Sequence, residues 1–204
     1  MVRRVASVGQ AATAGIAMLL AATPVAAQFS SGAYAFIKAV KDRDGSKVQE
    51  LIDKNPATIL VTRDDNGDTA LHIVTKRRDL PWLQFMLAKG VPIDTKDRDG
   101  NTALIDAARI GFAEGESQLL QVGASPNLAN NLGETALIIA TQAHDLGAVR
   151  TLLQYGADPR ETDHVAGLSA IDYARRDNRS TQILTLLQSV KPVVHKDVAG
   201  PQIN

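Results

Sequence analysis

The sequence predicts an all-α solenoid of about five helix-turn-helix units, with short β-turn fingers between them. Two observations carry that reading. Gly67, Gly100 and Gly133 are spaced by 33 residues, and Gly167 follows after 34. In phase with them run a hydroxyl position (Thr69, Thr102, Thr135, Ser169), an alanine position (Ala70, Ala103, Ala136, Ala170) and an apolar position (Leu71, Leu104, Leu137, Ile171). Self-similarity at a fixed period of this size marks stacked modules, each too small to bury its apolar face alone.

The chain has 204 residues, 45% hydrophobic but only 4% aromatic, so core filling falls to Leu, Ile, Val and Ala. Formal net charge is zero, and no basic stripe suits a nucleic-acid partner. No cysteine is present, which removes disulfides, thiolate metal sites, thiol nucleophiles and a lipobox anchor.

The first 27 residues read as an export signal. Arg3 and Arg4 form a charged start, an apolar run extends from about Ala11 to Ala22, and Val25 and Ala27 are the small residues a signal peptidase reads, with cleavage expected after Ala27. Gly9, Gln10, Thr13, Gly15, Thr23 and Pro24 dilute the run below the ~20 apolar residues that a spanning helix needs. A retained N-terminal anchor is the alternative. Removing residues 1–27 leaves a net charge of −2. Residues 28–32 then form a short mature N-terminal segment.

Each unit has a physical rationale. The first glycine occupies a tight turn that needs positive φ. The hydroxyl residue two places on caps the first helix, as in "TALHIVTKR" and "TALIDAARI". Small residues on that helix (Ala107, Ala140, Ala174) let a neighbour approach closely. A second helix ends in an apolar pair: Leu51-Ile52, Met86-Leu87, Leu119-Leu120, Leu152-Leu153 or Leu186-Leu187. Gly90, Gly123 and Gly156 lie just past it, as a left-handed cap requires. Pro81 begins the second helix of its unit, where its missing N–H does no harm.

The stretch "GDTALHIVTKRRDLPWLQFMLAKGVPID" resembles an ankyrin repeat, with Thr69-Ala70-Leu71-His72 standing for the family's T-P-L-H tetrapeptide. "GNTALIDAARIG", followed by "LLQVGASPN", and "GETALIIATQAHDLGAVRTLLQYGADP" are similar. The resemblance runs from about Ala33 to Ser189. It implies units at 33–63, 64–96, 97–129, 130–162 and 163–190; the tail at 191–204, with Pro, Gly and scattered charge, is expected to be largely disordered. The first unit is degenerate, with Asn55 where others have Gly; the last carries one inserted residue near Val165-Ala166 and ends on Val190. Such departures suit end units, whose outer faces meet solvent. Ile105, Ile138 and Asp172 replace the tetrapeptide histidine, so its polar tie is expected only at His72.

The third unit breaks the pattern. Gly115 and Glu116 stand where the neighbours have Trp82-Leu83 and Ala148-Val149, places that should face the core. The simpler expectation is a late-starting helix that lets Glu116 reach solvent. The sharper one is a soft spot where the array flexes or exposes a partner site.

No catalytic, cofactor-binding or metal residue is predicted. His72, His144, His164 and His195 show no ligand spacing, and neither H-E-x-x-H nor Walker A occurs. "GFAEG" has no preceding strand to make it a phosphate loop. Ser169 fits a helix cap, not a nucleophile elbow. Asp64, Asp65, Asp97 and Asp99 read as turn-forming residues, and "DRDGN" lacks the bidentate Glu of a calcium loop. Trp82 reads as core.

The resemblance implies a non-enzymatic module that grips another protein through a concave face built from turn tips and first helices. Carried onto this sequence, the tip candidates are Asp65, Asn66, Asp68, Arg98, Asp99, Asn101, Asn131 and Glu134; those on first helices are Lys76, Arg77, Arg109 and Gln142. The expectation is an exported, periplasmic or secreted monomer of the bacterial envelope, with a protein partner, no cofactor, no nucleic acid and no membrane contact after cleavage. The competing readings are an inner-membrane-anchored adaptor and a hydrolase with an unrecognised carboxylate site.

Overall fold

A computed structural model describes residues 25–190, with side-chain surroundings from Gly32 onward. The expected signal segment up to residue 24 and the tail at 191–204 lie outside the described residues.

The period reappears as geometry. First helices form an inner row: α1 (Val25–Asp42), α4 (Ala70–Lys76), α6 (Ala103–Arg109), α8 (Ala136–Gln142) and α10 (Ala170–Arg176). Second helices form an outer row: α2 (Gly45–Lys54), α5 (Leu80–Ala88), α7 (Ala113–Gln121), α9 (Leu146–Gln154) and α11 (Thr181–Ser189). The later four inner helices all have seven residues and the matching outer helices nine. Helices this short are not stable alone in water. Each packs on its own unit's partner and on the next helix of its row, so stability comes from stacking.

The expected caps are present. Thr102 and Thr135 hydroxyls accept from the Ile105 and Ile138 amides, both at 3.3 Å, and Ser169 accepts from Asp172 at 3.2 Å. Fully buried Leu71, Leu104 and Leu137, and Met86, Leu119 and Leu152, repeat the same two core positions along the stack. Burying one such side chain is worth about 1.5–3 kcal/mol. Past the outer helices, Gly90, Gly123 and Gly156 hold φ between 76° and 95°, and the next amide bonds back into the helix, as at Ala124 to Leu119 (3.0 Å).

The fingers are built by an Asx residue that also recurs every 33 positions. Asp64, Asp97 and Asn130 each accept from two amides of their own turn, and Asp163 does so in the longer last turn. Isolated bridges Ala129–Thr135 and Thr162–Ser169 mark two finger bases. Successive fingers touch through backbone: Asn131 N–H donates to the Asp99 carbonyl (3.0 Å) and His164 N–H to the Leu132 carbonyl (2.7 Å). That closeness explains the glycine. A Cβ on Gly100 would sit 2.6 Å from the Asn131 nitrogen, at a φ of +80°.

Three expectations need correction. The helix of the third unit does not start late: α7 begins at Ala113 and Glu116 is 2% exposed. Asp172 keeps the local half of the histidine tie, since its carboxylate accepts from the Ser169 amide (3.1 Å) and hydroxyl (2.6 Å). At the front, the described residues open within α1, and 28–32 lie in that helix ahead of the unit start placed at 33. A short extra helix α3 (Pro56–Ile59), with Pro56 near its start, follows α2 and adds buried Ile59. Trp82 is half-buried, edge-on to Phe85 with ring centroids 5.3 Å apart. No helix of the described residues is long and apolar enough to cross a membrane.

Candidate functional site

The residues expected on the binding face divide into two sets. Asp65, Asn66, Arg98, Asp99 and Asn131 are exposed on consecutive fingers, and Lys76, Arg77, Arg109 and Gln142 are exposed on the inner helices. Asp68 and Asn101 are 7% and 2% exposed, and Glu134 is half-buried. These three brace the row behind the surface. Asn101 Oδ1 accepts from Arg109 (3.2 Å) and from Asn130 (3.1 Å), while Glu134 accepts from Asn130 at 2.9 Å and faces Arg109 at 3.5 Å.

Lys76 lies at the centre of the strongest charge cluster. Its ammonium is 2.6 Å from Asp68, 3.4 Å from Asp97 and 3.5 Å from Asp106. Asp106 stands where units two and four place Ile73 and Ile139, and it is 3% exposed. Burial pushes its carboxyl up to about 6, against the opposing pull of Lys76. Asp97 lies below the usual carboxylate range: burial works against it, but bonds from the Asn101 amide and side chain outweigh that. Burial likewise opposes the Lys76 charge, and Asp68 and Asp106 more than restore it, raising its value. Asn66, Asp68, Lys76, Arg98 and Asp99 line an open cleft of about 460 Å³ over this cluster.

His72, Asp97 and Asp106 bring potential ligand atoms within 4.8 Å of one another. The imidazole is nevertheless committed elsewhere. Its Nδ1 lies 3.2 Å from the Thr69 amide, which can only donate, so Nδ1 is the acceptor. Nε2 therefore carries the hydrogen and donates to the Asn101 carbonyl at 2.9 Å. No lone pair faces the carboxylates, and the positive charge among them is Lys76. His72 is thus a tie between units two and three, held neutral by burial.

A second cleft, about 540 Å³, opens between units four and five, and Gln142 lines it. Here Ser180 Oγ is 3.1 Å from His144 Nδ1, and His144 Nε2 is 3.1 Å from Asp177. The set has the composition of a nucleophilic triad but not its arrangement: Arg179 places a guanidinium nitrogen 3.0 Å from the same Nε2, so a cation and the Asp177 carboxylate compete for that one nitrogen. Ser180 is 2% exposed, so little of it reaches the cleft.

Of the predicted face residues, Asn66, Asp68, Lys76, Arg98, Asp99 and Gln142 line these two clefts; Asp65, Arg77, Asn101, Arg109, Asn131 and Glu134 border neither, and Arg77 donates instead to the Lys41 carbonyl at 2.7 Å. Sequence reasoning passed over Leu132 and Val165, which are 51% and 77% exposed. They occupy the finger-tip position held by Asn66 and Asp99 in earlier units, so stepping back by 33 would have found them.

A family model described as ankyrin repeats, in three copies, matches residues 36–130. A single-repeat ankyrin model matches residues 132–164. Together they span more than half of the chain.

Proposed function

The chain belongs to the ankyrin-repeat family, a family of protein-interaction modules, and from that premise we propose that it is a non-catalytic binder of another protein in the bacterial cell envelope. The observation that carries the reading is the exposed row Asp65, Asn66, Arg98, Asp99 and Asn131 on stacked fingers, beside exposed Lys76, Arg109 and Gln142. Leu132 and Val165 extend the row with apolar tips. Mixed charge at one end and exposed aliphatic side chains at the other suit a folded protein surface better than a polyanion. The envelope assignment rests on the N-terminal charge pattern.

The test is a crosslinked pull-down from the envelope fraction with the full chain and an Arg98→Glu/Arg109→Glu variant. The expected result is loss of the recovered partner by the variant but not by Gln182→Glu on the outer row. Equal recovery by all three proteins would overturn the binding face. Mass spectrometry of the purified chain should find Gln28 at the mature N-terminus, whereas an intact N-terminal segment would favour the anchored adaptor.

A further inference from the structure

The third unit departs from its neighbours at four places together. Asp106 replaces Ile73 and Ile139, Glu116 replaces Leu83 and Val149, Phe112 replaces the capping Asp79 and Asp145, and Gly115 replaces Trp82 and Ala148. The last two substitutions fit one another, because a Cβ on Gly115 would meet the Phe112 ring at 2.3 Å. Their effect is to remove a cap. The Asp79 and Asp145 carboxylates accept from the Trp82 and Ala148 amides, at 3.4 and 2.9 Å, while Phe112 makes no such bond at the start of α7.

Glu116 is buried in this weakened helix. Leu83 and Val149, its equivalents, are completely buried, and Glu116 is 2% exposed with Oε1 lacking any hydrogen-bond partner. Asp106 Oδ2 also lacks one, but Lys76 stands 3.5 Å away. Glu116 has no such cation. The charged side chains on or bounding the packed elements are Arg78, Asp79 and Lys89 at α5, Asp106 and Arg109 on α6, Asp145 and Arg150 at α9, and Glu114 on α7 itself; the Arg78 guanidinium is taken up by the Gly111 carbonyl at 2.8 Å and the Phe112 ring at 5.9 Å. Of these, Asp145 alone exerts a resolved charge effect on Glu116, and it is repulsive.

We propose that α7 is a proton-dependent latch in the outer row, packed against α5 and α9 while Glu116 is protonated and loosened when that carboxyl ionises. Burial first, and Asp145 second, raise Glu116 from 4.5 to about 8. A folded value above the unfolded one favours closure at low pH. The advantage is complete below about 4.5 and is lost as pH rises toward 8. The Asp106 carboxyl acts in the same sense up to about 6. His72 acts oppositely, and only below its unperturbed value of 6.5. Between pH 6.5 and 8 the titration of the unit therefore belongs to Glu116. The latch concerns the outer row and stands whether or not the finger face binds a partner.

Native-state hydrogen exchange on the full chain at pH 6, 7 and 8, corrected for the intrinsic rate, reads the latch directly. Protection across 113–121 is expected to fall roughly tenfold per pH unit over this interval, since one pKa unit of differential binding is a factor of ten. Protection of 170–176 is expected to hold. Glu116→Gln and Glu116→Leu should both make the 113–121 profile flat, the second restoring the residue type at Leu83. Constant protection in the unaltered chain, or an equal fall in both variants, would overturn the proposal.

Discussion

Replacing Lys76 with methionine removes the positive charge shared by Asp68, Asp97 and Asp106 while keeping most of the aliphatic stem. At an effective dielectric of 20, a pair at 3.5 Å is worth about 5 kcal/mol before desolvation. Breaking a fully buried pair costs roughly 3–5 kcal/mol. The Lys76 side chain is 38% exposed, so water screens part of that interaction and the expected loss is about 1–3 kcal/mol at pH 8. The loss should shrink at pH 5. Asp106, raised to about 6, is already protonated there, and its stabilisation by protons is full below the unfolded value and disappears as pH rises through 6. Without Lys76 its value climbs further, so the variant keeps losing stability where the parent has levelled off. Urea denaturation followed by far-UV circular dichroism and by the single tryptophan, Trp82 on the adjoining α5, measures the difference. In an Asp106→Ile background, which restores the residue type of Ile73 and Ile139, the same replacement should cost less. Equal losses in the two backgrounds, or no loss at either pH, would refute this account of the cluster.

Gly100→Ala combines a left-handed φ of +80° with a Cβ 2.4 Å from Asn131 Oδ1 and 2.6 Å from its nitrogen, so a loss of at least about 2 kcal/mol is expected by urea denaturation. Thr102→Ala should lower stability by about 1 kcal/mol through loss of the bond from Ile105, read in the same assay. The neutral His72 contributes stability that is complete above 6.5 and declines as pH falls below it, because the unfolded chain then takes up a proton that the buried ring refuses. His72→Ile should therefore raise the urea midpoint at pH 5 relative to that at pH 7.5; an unchanged difference would remove His72 from the pH response.

The repeat, the caps and the glycine turns were legible because each is a local requirement imposed every 33 residues. Thr102 must accept from Ile105 three places on, and Gly100 must adopt positive φ, whatever lies beyond. The binding face was only partly legible. Asp68 and Asn101 have the polar character of surface residues, yet partners eight or more residues away cover them: Lys76 on the first, Arg109, Asn130 and the His72 tie on the second. Glu116 misled for a related reason. Spacing placed it on the core side of α7, and aversion to burying a carboxylate argued for moving the helix instead. The protein keeps the helix and buries the carboxyl, which burial pushes up to about 8. Asp172 shows that a tie can change residue type and survive, with a carboxylate accepting where an imidazole did.

Everything above depends on equivalent positions occupying successive layers of one stack. The cysteine-free sequence allows this to be measured with pairs of introduced cysteines carrying spin labels. Asn66 and Leu132 lie two units apart at the finger tips, as do Asp99 and Val165. With 8–10 Å between packed helices, both pairs should give the same narrow distance near ~20 Å. Two different distances, or broad distributions reaching beyond about 35 Å, would contradict the regular stack.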